Sequence, residues 1–239
     1  MRRCRRKEND IEQWWNECLE PIFQFVGDQL KDVNNSNFYS YFFISFKKNS
    51  MPIFENLEYM SASYPIAQSL RLLMELTADL DFINEHPENL NHLQKEADKY
   101  LKKAQEKKLS WRECIISSGD IKLRVGSTDI TDEKLVKQYS TKKRVEKVFG
   151  EKLYSFYSSF SHVNLFAICD DAWTIKDKQA LLLRRAECMK EYPNILAKFL
   201  LVLGAAMKKD LVSDIDFKKF YKDFDVLLSA IVNAEVINE

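Results

Sequence analysis

The chain has 239 residues, of which only 5 are Gly and 5 are Pro, while 46% are hydrophobic, 13% aromatic and 30% charged. Gly plus Pro at about 4%, against roughly 12% in average usage, excludes turn-rich all-β folds, collagen-like repeats and long flexible linkers. The abundant apolar surface also excludes a disordered chain, because its burial offsets the entropy of ordering. Lys plus Arg and Asp plus Glu each total 36, so the overall basic excess of a dedicated nucleic-acid binder is missing. These bounds predict one all-α domain over 1–239, a multi-helix bundle of about seven or eight helices.

The basic start (Arg2, Arg3, Arg5, Arg6, Lys7) runs directly into polar residues and does not read as a secretory signal. From 10 to 32, Ile11, Trp14, Trp15, Leu19, Ile22, Phe23, Val26 and Leu30 recur at helical spacing, with Pro21 as an expected kink. Asn34 to Asn37 reads as a turn with a cap, and Phe38 to Phe46 as a helix or a fully buried segment. Pro52 and Pro65 mark two further helix starts. From Pro65 to Asn84 the apolar residues cover most of the helical circumference, the pattern of a buried central helix. A narrow polar stripe of Gln68, Arg71, Glu75 and Asp79 runs through it at steps of three, four and four. Pro87 ends it, and 88–108 reads as a charged helix.

Between 109 and 140, Gly119, Gly126 and several Ser and Thr cluster around an alternation of Ile121, Leu123 and Val125. That stretch is expected to be a loop-rich insert holding a short hairpin. Basic residues then concentrate from 134 to 152, including Lys143 and Arg144, either as an ordinary solvated helix surface or as a local basic face that would hold a nucleic-acid backbone. Helical pattern resumes at Thr141, and Phe149, Leu153, Phe156, Phe160, Val163 and Ala167 form one apolar seam. The opposite side carries Tyr154, Ser158, Ser161 and His162. Three more helices are expected over about 175–191, 193–208 and 214–235. The longest apolar stretch, Ile195 to Met207, contains Lys198 and is too short to span a bilayer.

The five cysteines are scattered without CxxC or zinc-ligand spacing, which points to reduced thiols in the cytoplasm and to no metal site. No phosphate-cradling glycine loop, nucleophile elbow or HExxH motif occurs, and no cofactor is expected. What remains are two polar rows at i, i+4 spacing: Arg71, Glu75, Asp79 on one helix and Tyr154, Ser158, His162 on another. Facing each other, they would bring a guanidinium, two carboxylates, a phenol, a hydroxyl and an imidazole into an apolar interior. Burial and charge partners there would tune an acid or base toward neutral pH. The same residues would equally serve to satisfy one another and tie helices together.

On these residues the chain resembles a group of bacterial helical domains of unknown function. They pair an Arg-x3-Glu helix, here Arg71 to Glu75, with a Tyr-x3-Ser-x3-His helix, here Tyr154 to His162. Over roughly residues 60–170 it resembles, more distantly, the HEPN (higher eukaryotes and prokaryotes nucleotide-binding) superfamily of helical bundles that often dimerise. That resemblance implies a protein of phage-defence, toxin–antitoxin or stress systems, acting as a metal-independent ribonuclease or binding a nucleotide. His162, Arg71 and Glu75 would carry the chemistry, with Tyr154, Ser158, Asp79, Lys143 and Arg144 holding RNA. The Arg that the HEPN motif places shortly before its His has no counterpart ahead of His162, so Arg71 would have to supply that charge from the other helix. The competing expectation is a non-catalytic helical interaction or ligand-sensing module with a protein partner or a second copy of itself.

Overall fold

The computed structural model describes residues 11–31, 36–55, 63–87, 102, 106–108, 140–160 and 178–236. Every regular element among them is helical, as the composition implied. In chain order they are α1 (Glu20–Lys31), α2 (Ser36–Glu55), α3 (Ser63–Glu85), α4 (Thr141–Phe149), α5 (Glu151–Ser159), α6 (Lys178–Met189), α7 (Tyr192–Met207) and α8 (Phe217–Val236). The readings for the basic start, for Asn34 and Asn35 of the expected turn, for nearly all of the 88–108 helix, for 109–139 of the 109–140 insert and for 161–177 lie outside the described residues, while Ser36 and Asn37 open α2. None of the described helices is long and apolar enough to cross a membrane.

The first helical run meets Pro21 differently from a simple kink. A π-helical turn over Trp15–Leu19 precedes α1, and the Glu20 N–H donates to the Trp15 carbonyl, five residues back. Proline lacks the N–H that would continue the ladder and crowds the carbonyl four residues before it. Widening the preceding turn accommodates both problems. Pro52, expected to start a helix, instead sits inside the last turn of α2. The N–H that Pro52 lacks would have bonded the carbonyl of Lys48, an exposed residue.

α3 is the central element, packed by α2, α4, α5, α6 and α7. Ile66, Ala67, Leu70, Leu73, Met74, Ala78, Leu80 and Ile83 are all buried, as its nearly all-round apolar pattern requires. Leu72 is the exception, at 40% exposed. The core continues through Phe46, stacked on Phe199 with centroids 4.0 Å apart, and through an aromatic group of Trp14, Phe54, Phe220 and Phe224. This interior joins the N-terminal helices to α7 and α8 and holds α3 in a fixed setting.

Of the described members of the expected apolar seam, Phe149, Leu153 and Phe160 pack against the core and Phe156 does not. Gly150, at φ 88°, separates α4 from α5, a backbone setting that disfavours any side chain. On α5 the buried residues are Tyr154 and Tyr157, while Phe156 is 43% exposed. The cause is hydrogen bonding. Tyr157 donates to the Cys188 carbonyl at 2.7 Å, and the Tyr154 hydroxyl accepts from Arg71, so both rings bury with their polar ends satisfied.

Candidate functional site

The polar stripe of α3 faces α4 and α5, and its charged members each meet a side chain from one of them or from their own helix. Arg71 Nε donates to Glu75 Oε1 at 2.8 Å, and Arg71 Nη2 donates to the Tyr154 hydroxyl at 3.3 Å. The guanidinium also lies 5.5 Å from the centre of the Tyr154 ring. Burial works to lower the Arg71 pKa, but the hydrogen bond and charge of Glu75, with Tyr154 behind them, outweigh it and the net shift is upward. Arg71 is therefore a fixed cation shared between two helices.

Two turns further along α3, Asp79 accepts two hydrogen bonds on one oxygen, from Arg144 Nε at 2.9 Å and Nη2 at 2.7 Å. Arg144 is 8% exposed, sits 5.5 Å from the centre of the Phe82 ring and also donates to Thr141 Oγ1. Burial raises the Asp79 pKa and outweighs the lowering effect of the charge and hydrogen bonds of Arg144. Next to it, Lys147 reaches Asp81 at 3.4 Å and contacts Glu85. Lys142 and Lys143 both pair with Glu146 on their own helix.

The two expected rows are thus only partly brought together. Arg71, Glu75 and Tyr154 meet as the spacing implied. Ser158 is on the same helix as Tyr154, and its hydroxyl oxygen is inaccessible and without a hydrogen-bond partner. His162 lies outside the described residues. Arg144 is not on a solvated basic face but inside, against Asp79, and each basic residue of α4 is engaged by a carboxylate. Within α4 the four basic residues are thus offset by Asp79, Asp81, Glu85 and Glu146. The Arg144–Asp79 tie was not visible beforehand; its one sequence signal is the i, i+3 spacing of Arg144 and Lys147 opposite the carboxylates of α3.

Cys18 and Cys188 are free thiols, and no group of three or more His, Cys, Asp or Glu among the described residues could hold a metal ion. The fold and these ties define an all-α bundle whose central helix is fastened to a short helix pair by buried and half-buried polar contacts. No family model matches the chain, and no curated protein or solved structure matches it.

Proposed function

We propose that the chain is a non-catalytic helical interaction or ligand-sensing module, in which the polar rows specify how α4 and α5 seat on α3. The observation that supports this is the engagement of the α3 stripe: Arg71 is held by Glu75 and Tyr154, and Asp79 by Arg144. A group that must grip a phosphate or shuttle a proton needs capacity to spare, and these are committed to each other. The test is stability. Arg71→Ala should lower the melting temperature, because it removes a tie between two helices; a stable variant would speak against the reading.

A second reading is favoured by one observation. The Arg71 and Glu75 side chains keep 22% and 25% exposure, so this end of the row reaches solvent. In that reading the protein is an HEPN-like, metal-independent ribonuclease or nucleotide-binding protein of bacterial defence or stress systems, cytoplasmic and acting as a homodimer. His162 would be its acid/base and Arg71 its phosphate ligand. RNA cleavage in EDTA by the wild type, abolished in His162→Ala with folding intact, would establish it; equal absence of cleavage in both would remove it.

A further inference from the structure

The contacts of α4 differ in kind from those of its neighbours. Its principal packing partners are α3 and α5. Its buried residues are Arg144 and Val145, with Val148 and Phe149 partly buried. The remaining ties to α3 are ionic: Arg144 to Asp79, and Lys147 to Asp81 and Glu85. α5, by contrast, is pinned by two buried phenols, Tyr154 toward Arg71 and Tyr157 onto the Cys188 carbonyl. Between the two helices stands Gly150, at φ 88° and with open space where a Cβ would point.

We propose that α4 is a charge-latched flap that swings about Gly150, at a free energy below that of global unfolding, and uncovers an acidic strip of α3 formed by Asp79, Asp81 and Glu85 around Phe82. Val145 is the one fully buried apolar residue of α4, and Val148 and Phe149 are only partly buried, so charge carries much of the seating of α4 on α3. The Lys147 pairs are half-exposed and so weaken as salt screens them. The Arg144–Asp79 pair fixes the register of the closed state more than its strength. Closed, α4 acts as an internal basic helix on an acidic face; open, that face fits a basic amphipathic helix of a partner. This inference stands independently of whether the module or the ribonuclease reading holds.

Hydrogen exchange on the full-length chain, followed by mass spectrometry across a urea series at low and high sodium chloride, tests it. The expected result is that the amides of α4 exchange through an opening with a smaller urea dependence than those of α3. High salt should speed α4 exchange roughly three- to tenfold. Lys147→Gln should speed α4 and leave α3 unchanged. If α4 and α3 exchange with the same urea dependence, or if salt and Lys147→Gln leave α4 unchanged, no flap exists.

Discussion

Arg144 reaches across from α4 to place two donors on a single oxygen of Asp79, while its guanidinium lies against the Phe82 ring. Removing one member of a buried pair is costly because the other stays behind in its desolvated place. Arg144→Met should therefore lower stability by about 2–3 kcal/mol, the lower part of the range for buried pairs because Asp79 is partly exposed. The double variant Asp79→Leu/Arg144→Met should come back to within about 1 kcal/mol of wild type. Urea unfolding of the three proteins measures both values.

Asp79 also gives the fold a pH dependence. Its carboxyl lies above the ordinary 3.8 because burial outweighs the charge and hydrogen bonds of Arg144, with Glu75 adding to the rise. An acid with a higher pKa folded than unfolded lends stability that is complete below the unfolded value and lost as pH climbs through the folded value. The melting temperature of the wild type, taken relative to Asp79→Asn, should accordingly fall as pH rises from below 3.8 toward neutrality. A difference that stays flat, or grows with pH, would show that the carboxylate is favoured in the fold.

Tyr157 fixes α5 to α6 through its bond to the Cys188 carbonyl, and burial drives its phenol pKa well upward. Tyr157→Phe keeps the ring and removes that buried hydrogen bond, at a cost of about 1–2 kcal/mol. For a chain of this length that is a drop of roughly 2–8 °C in melting temperature, readable by calorimetry. Ser155, on the same helix and exposed, serves as the control: Ser155→Ala should change the melting temperature by little.

Gly204 closes α7. A Cβ there would lie 2.6 Å from the Lys209 carbonyl oxygen, in the turn where Lys208 takes φ 54° and Lys209 N–H bonds back to Gly204. Because the obstructing atom is backbone, Gly204→Ala must shift the cap and should destabilise by about 1–3 kcal/mol. Thermal unfolding of this variant beside Ala205→Gly, at an exposed neighbour, separates the steric effect from helix propensity.

The helices were legible wherever periodicity was strong. α3 announced itself as central by its all-round apolar pattern, and α6, α7 and α8 fall close to their expected bounds. The meeting of Arg71 with Tyr154 was also within reach, since both sit on i, i+4 rows. Arg144 was not: a run of Lys and Arg looks the same whether it faces water or a carboxylate, and only the docking of α4 on α3 decides between them. The burial of Tyr157 escaped for a related reason. Counting Phe156 as core and passing over Tyr157 follows hydropathy, but a phenol with a partner buries as readily as a phenylalanine. Pro52 shows the same limit at the backbone level, where an exposed turn tolerates a residue that usually marks a start.

The thermal unfolding of Arg71→Ala tests most directly whether the polar rows are there to seat helices on one another. If they are, loss of the bonds to Glu75 and Tyr154 should lower the midpoint by about 3–6 °C. A midpoint equal to that of the wild type would contradict it.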